Sequence, residues 1–306
     1  MSIWDRVPWV HFLKKESCMK EQIYEIENQE SFELKHIFDC GQCFRWNEEI
    51  DKSYTGVFKS NVLNVQKAKN KITFKGMVNG DIKEVVEDYF DLKRDYTKIK
   101  GQLSKIDNNV KQSVKYGEGI RILNQELFET ILSFIISANN NIPRIKGIIE
   151  RISQKYGDKI VWQGKSYYTF PTIEQLKDVT IEDYRNLGAG FRDKRLYETV
   201  HMLLDKKVNT IKWYEEPDTL KVRDELLSLS GVGPKVADCI LLFSDLKRFD
   251  VFPIDVWVRR VMNELYIKNP DETKVNKKQI EQIALEKFGT LEGLAQQYLF
   301  YWKREA

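Results

Sequence analysis

Lys235 and Asp255 are the most chemically loaded pair in the chain, and each stands where a helix is expected to begin. Leu229-Ser230-Gly231-Val232-Gly233-Pro234 reads as a hairpin between two helices. Before it, Leu220, Leu226, Leu227 and Leu229 fit a short amphipathic helix. After it, Pro234 suits a first helical position, where its missing N–H would have no partner anyway. Lys235 then falls in the first turn, facing the positive end of the helix dipole, which disfavours an ammonium ion. A neutral amine is a nucleophile and an ammonium is not. The plainer alternative is a solvated lysine that binds a phosphate, and local sequence leaves both open. Twenty positions on, Asp255 precedes a helical pattern over 256–265 and reads as its N-cap. A carboxylate held there could stabilise a developing positive charge, such as an oxocarbenium ion at a sugar carbon. Gly231 and Gly233 leave N–H groups bare at a helix N-terminus, an anion site for which DNA phosphate is one candidate. A tight interhelical turn would use the same glycines.

These residues need a frame, and 306 residues suffice for one large domain or two ordinary ones. Residues 1–117 read as β-rich. Short, roughly alternating runs cover 54–58, 62–66 and 71–75, with further strands expected at 32–38 and 43–46. A helix is expected over 81–90, with Asp81 as N-cap. The pattern is an antiparallel sheet with one or two covering helices. From 118 the character changes. A nearly continuous apolar helix covers 128–138, and an amphipathic one covers 142–156 and stops at Gly157. Short threonine-capped helices follow at 172–176 and 180–186, then longer ones at 192–206, 276–288 and 291–303. The fold class expected is α+β: an N-terminal antiparallel sheet domain, 1–117, and an all-helical domain, 118–306.

Composition narrows the function classes. Hydrophobic residues make up 42% and charged residues 31%, the balance of a globular chain. A net charge of +3 permits a nucleic-acid partner without arguing for one. Cys40-Gly41-Gln42-Cys43 has the C-x-x-C form, but the other cysteines, Cys18 and Cys239, form no second pair. His11, His36 and His201 show no ligand spacing, so no metal site is expected, and the motif reads as a turn with two half-buried thiols. The spacing of an iron–sulfur cluster is absent too. The apolar patch near 4–13 is too short for a signal peptide, and no run approaches membrane-spanning length. The expected place is the cytoplasm, with reduced thiols, at the nucleoid if the source is bacterial.

Five motifs, in order along the chain, carry a resemblance. Gly231 to Cys239 together with Val251-Phe252-Pro253-Ile254-Asp255-Val256 resemble the helix-hairpin-helix DNA glycosylase superfamily. More narrowly they are similar to 8-oxoguanine DNA glycosylase/lyases of the eukaryotic type. Gly41-Gln42-Cys43-Phe44-Arg45-Trp46 is similar to that family's GQ-x-FRW segment. Ser137-Ala138-Asn139-Asn140-Asn141-Ile142-Pro143-Arg144-Ile145 resembles its triple-asparagine segment. Gly188-Ala189-Gly190-Phe191-Arg192 resembles its glycine-aromatic-arginine turn, and Ala295-Gln296 with Leu299-Phe300 its C-terminal AQ-x-x-LF.

The resemblance implies an N-terminal sheet domain like that of TATA-binding protein, and base-excision repair of duplex DNA carrying 8-oxoguanine opposite cytosine. It implies a monomer with neither organic cofactor nor catalytic metal, a structural monovalent cation at the hairpin being allowed. Lys235 would attack C1′ and form a Schiff base that proceeds to strand cleavage, with Asp255 stabilising the transition state. Gly231 and Gly233 would hold a backbone phosphate. The Gly41 carbonyl would accept the N7–H that distinguishes 8-oxoguanine from guanine. Phe300 and Cys239 would sandwich the flipped base, and Gln296 would read its Watson–Crick edge. Asn139 would fill the gap in the duplex, Arg144 and Arg192 would read the orphaned cytosine, and Phe191 would wedge beside it. Each has a plainer reading: a turn glycine at 41, core packing for Cys239 and Phe300, a helix end at Asn139, a surface charge at Arg192. The chain also departs from the pattern: Ser230 for proline, Cys43 for serine, Pro143 for alanine, and Trp257 for a phosphate-contacting histidine. Two alternatives remain: a glycosylase for another lesion, which would not need Gly41, Gln296 or Phe300, and a non-catalytic DNA-binding module, which would need neither Lys235 nor Asp255.

Overall fold

Alternating apolar and polar residues build the first layer of the computed structural model, which describes residues 19–305. The patch near 4–13, His11 and Cys18 lie outside the described residues. Strand β1 (Lys20–Glu27) and helix α1 (Leu34–Phe38) lead into β2 (Trp46–Glu48), β3 (Tyr54–Phe58), β4 (Asn61–Ala68) and β5 (Lys71–Val78). The sheet is antiparallel throughout, in the order β1-β5-β4-β3-β2. Its register aligns Tyr54, Val65, Phe74 and Tyr24 in one row. That row packs against α1 and against α2 (Ile82–Tyr89), which Asp81 caps through the amides of Lys83 and Glu84. Trp46 lies between them, stacked on Phe38 at 4.2 Å and donating to the Tyr89 hydroxyl at 2.9 Å.

Two expectations are corrected here. Segment 32–38 forms α1 at its end rather than a strand, because Leu34, Ile37 and Phe38 recur at helical spacing and bury one stripe. Within 43–46 only Trp46 joins the sheet. Strand β1 was not foreseen; its burial alternates only between exposed and half-buried, a weak signal for an edge strand.

The helical part begins with α3 (Tyr96–Leu103) and α4 (Asn108–Tyr116). Both lie N-terminal to residue 117, yet Tyr96, Leu103, Val110 and Val114 belong to the helical core. There follow α5 (Leu127–Ser137), α6 (Ile142–Tyr156), the hairpin β6 (Lys159–Trp162) and β7 (Lys165–Tyr168), and α7 (Ile181–Asn186). Next come α8 (Asp193–Leu204), α9 (Thr210–Glu215), α10 (Thr219–Leu227), α11 (Pro234–Phe243), α12 (Val256–Met262), α13 (Lys277–Phe288) and α14 (Glu292–Glu305). The core centres on α5 and α11, both nearly all apolar and buried on most sides. The helical half is therefore not all-helical. Its hairpin β6–β7 places Ile160 and Trp162 on Val57 and Val62, and Trp162 donates to Glu21 at 3.0 Å. This covers the sheet's second face, which is why β3 is buried on both sides. Among the described residues no helix is long and apolar enough to cross a membrane.

Candidate active site

The hairpin between α10 and α11 is built as its residue types require. Gly231 has φ +82°, and a Cβ there would lie 3.0 Å from the side chain of Arg195. Ser230 donates to Glu198 at 2.6 Å, and its carbonyl accepts from Thr199 at 2.7 Å, so the turn is pinned to α8. Gly233 occupies the N-cap of α11 with open space around it. The amides of Gly231 and Gly233 donate to no other group among the described residues. Lys235, half-buried, is the second residue of α11, and its Nζ lies 5.4 Å from the centre of the Phe134 ring. Asp255 caps α12 by accepting from the Val258 amide at 2.8 Å. Both charges reach Cys239. Burial pushes that thiol up to about 11; Lys235 opposes the rise and Asp255 adds to it. Lys235, Asp255 and Cys239 are thus brought together.

Phe134 links this centre to the distant segment around Gly41, for Phe44 meets its ring edge-on at 5.5 Å. Gly41 has φ +85°, and a Cβ there would meet Phe300 at 3.7 Å and Arg304 at 3.4 Å. The carbonyls around it are all engaged. That of Asp39 accepts from Arg304, that of Cys40 from Gln297 at 2.7 Å, and that of Gln42 from Gln125 at 2.7 Å. The Gly41 carbonyl accepts from no group among the described residues. Gln42 rivets the turn from below, donating to the carbonyls of Ile37 and Arg121 and accepting from the Leu123 amide. On α14, Gln296 is 5% exposed, and its Oε1 is buried without a donor. Two acceptors without donors therefore flank the half-buried Phe300, four residues after Gln296 on one face of α14. Gln42, Gln125, Gln297 and Arg304 were not singled out from sequence; Gln42 lies in a motif and Gln297 at a variable position of another.

The triple-asparagine segment divides its labour. Asn140 donates back to the Ile136 carbonyl at 3.1 Å, and Asn141 caps α6 by accepting from the Arg144 amide at 3.0 Å. Asn139 does neither and adopts φ +51°. Arg144 is exposed, with one bond of 3.4 Å to the Gly188 carbonyl. Phe191 is 56% exposed, with the guanidinium of Arg192 at 4.1 Å and that of Arg195 at 5.4 Å from its ring. The plainer reading of Arg192 does not hold. The residue is 1% exposed and lies in a 3-10 turn at the N-cap of α8, not in the helix's first turn. Its guanidinium donates to the carbonyls of Ala138, Asn139 and Ala189. It is therefore not a surface charge. It holds the Asn139 turn in place.

The C-x-x-C thiols are fully rather than half buried, and each faces a carbonyl of α1: Cys40 that of Ile37, Cys43 that of Phe38. Burial pushes both up, Cys40 to about 11. They pack into different cores, one helical and one against the sheet. Cys40, Cys43 and Cys239 are free. Among the described residues no cluster of histidine, cysteine and carboxylate side chains could hold a metal ion. Trp257 is half exposed beside Asp255, with Arg260 at 5.5 Å from its ring.

A pinned glycine hairpin, a lysine on the helix it opens and an aspartate capping a second helix define a class. Residues 132–289 match the family model described as HhH-GPD superfamily base excision DNA repair protein. Residues 25–131 match that of the 8-oxoguanine DNA glycosylase N-terminal domain. The chain belongs to the 8-oxoguanine DNA glycosylase family of that superfamily, as a bifunctional N-glycosylase and DNA lyase. It is similar to the 8-oxoguanine glycosylase/lyase of Clostridium acetobutylicum, solved in complex with double-stranded DNA containing cytosine opposite 8-oxoguanine. The two are 45% identical with a TM-score of 0.87, over 94% of this chain and 98% of that one. A probable N-glycosylase/DNA lyase of Methanothermobacter thermautotrophicus is 31% identical over 74% of this chain and 76% of its own. The Arabidopsis thaliana N-glycosylase/DNA lyase OGG1 is 26% identical over 87% and 76%.

Proposed function

We propose that this enzyme excises 8-oxoguanine opposite cytosine in duplex DNA and cleaves the strand through a Schiff base on Lys235. The observation that carries the substrate is the pair of acceptors without donors, Gly41 O and Gln296 Oε1. 8-Oxoguanine flipped from the stack offers N7–H to the first and the donors of its Watson–Crick edge to the second. Guanine would turn a lone pair at N7 toward the Gly41 carbonyl, a mismatch of about 1–3 kcal/mol. Phe300 and Cys239 cover the two faces of the base.

The chemistry follows from the pair beside Cys239. The Lys235 amine attacks C1′, and the bond from C1′ to the base breaks, with its electron pair leaving on the base. Asp255 stabilises the positive charge that develops at the sugar. Opening of the sugar ring gives the imine. Loss of a C2′ proton expels the 3′ phosphate by β-elimination, and water then releases Lys235. The free amides of Gly231 and Gly233 take a backbone phosphate. Asn139 enters the gap left by the base, Phe191 wedges the duplex, and Arg144 reads the orphaned cytosine.

Borohydride trapping on a duplex with one 8-oxoguanine tests the mechanism, using the unaltered enzyme and Lys235→Gln. The expected result is a covalent adduct with the first and none with the second. Absence of an adduct with the unaltered enzyme sinks the Schiff base, and an adduct that survives the substitution moves the nucleophile elsewhere.

A further inference from the structure

We propose that Arg304 is a specificity-determining positioning residue: it ties the Gly41 rim of the base slot to Phe300, so that acceptor and stacking ring keep one spacing. The inference rests on the base slot proposed above. Arg304 follows Phe300 by four residues on α14, one turn further along the same face. Its Cζ lies 5.1 Å from the centre of the Phe300 ring. One nitrogen, Nη2, donates to the Asp39 carbonyl, and Nε donates to Glu305 at 3.0 Å. The remaining nitrogen, Nη1, lies 3.4 Å from where a Cβ on Gly41 would stand. The side chain is 19% exposed, so it is packed into the rim rather than waving from the chain end.

The segment 39–41 hangs from α14 by two side chains, Gln297 on Cys40 and Arg304 on Asp39. Gln297 alone is a single hinge point; the second bond fixes which way the Gly41 carbonyl faces. A guanidinium on a ring face also holds that ring electrostatically, which steadies the platform for a base. Discrimination by one backbone carbonyl is sensitive to misplacement, and an error of about 1 Å can cost about 100-fold in rate. Glycine at 41 makes the outer tie necessary, because a residue with φ near +85° and no side chain has little packing of its own.

This role predicts where the damage from a substitution should appear. A preformed abasic site has no base to seat, so its cleavage by Lys235 does not use the slot. Arg304→Ala should therefore lower single-turnover release of 8-oxoguanine by about tenfold or more, while cleavage of abasic-site duplex stays within about twofold. Arg304→Lys should recover part of the loss, since an ammonium can keep a cation near the ring and one bond to Asp39. In the DNA-free protein, amide hydrogen exchange over 39–42 should speed up in the alanine variant. Equal release by the alanine variant, a parallel fall in both activities, no recovery by lysine, or unchanged exchange over 39–42 each overturns the proposal. Failure of the unaltered enzyme to release 8-oxoguanine would instead overturn the substrate reading, and the exchange measurement would still decide the tie.

Discussion

Replacing Gln296 by leucine should separate stability from catalysis. In the free protein Gln296 is 5% exposed, and its Oε1 is buried without a donor. An unpaired buried polar group costs about 1–3 kcal/mol. Leucine removes that cost while keeping an apolar contact on α14 beside Ala295 and Leu299, both in the core. The variant should be as stable as the unaltered enzyme, or more stable by up to about 2 kcal/mol. At this chain length that is a rise of about 2 °C in melting midpoint per kcal/mol. With base bound the sign reverses, because a donor on the Watson–Crick edge is left buried and unpaired. The same 1–3 kcal/mol, now charged to the bound state, lowers kcat/KM on 8-oxoguanine duplex by roughly 5- to 150-fold. Thermal melts and single-turnover excision on one preparation check both halves, with abasic-site cleavage as the control that should not move. A loss of more than about 1 kcal/mol of stability with normal excision would refute the reasoning. It would mean that the oxygen has a partner inside the protein and does not face the base.

Asp255→Asn keeps an N-cap of equal quality for α12 and removes only the charge. Excision should fall by about 100-fold or more with a melting midpoint within about 2 °C, and a fall in stability as large as that of Asp255→Ala would contradict this. Arg144→Ala should lower the preference for cytosine over adenine opposite the lesion by about tenfold without destabilising the protein, because Arg144 is exposed. Arg192→Ala should instead cost about 2–4 kcal/mol and slow excision opposite every base alike, since three carbonyls lose their donor; denaturation and an opposite-base series distinguish the two. Lys247 gives a pH dependence: burial lowers it to about 7, with Asp91 at 3.4 Å opposing the shift. The unfolded lysine titrates near about 10.4, so between pH 7 and 10 the unfolded chain binds more protons and this contribution to stability rises with pH, by at most about 1.4 kcal/mol per unit. It is lost as pH falls through 7. Urea midpoints from pH 6 to 9 should show that slope flattened in Lys247→Met, where Asp91 keeps Arg94 at 2.6 Å and Tyr96 at 3.0 Å.

What sequence could reveal was whatever chemistry is local. Pro234 after a glycine hairpin and Asp255 before an apolar helix announce themselves, because capping is decided within three or four residues. Segment 32–38 was misread because five helical residues after an extended Glu33 leave too short a window for period 3.6 to beat period 2. The anchoring of Arg192 was hidden for a different reason. A charged side chain next to an exposed aromatic looks solvent-facing, and nothing nearby shows that carbonyls 53 and 54 positions away will take its donors. Hairpin β6–β7 is four residues per strand, and the covered sheet face that explains it belongs to another part of the chain.

The Gly41 carbonyl makes the general point. As a residue, Gly41 is an unremarkable turn glycine, and its φ of +85° would suit many turns. The recognition role proposed for it rests on the carbonyls on either side being occupied: by Gln125 from 83 positions beyond Gln42, and by Gln297 and Arg304 from 257 and 265 positions beyond Cys40 and Asp39. One acceptor is left over by subtraction. In the proposed mechanism Lys235 and Asp255 would serve many base-excision reactions equally, so selection of the lesion would fall to the segments that do the subtracting. Substitutions at Gln125, Gln297 or Arg304 should therefore alter which base is removed before they alter whether a strand can be cut.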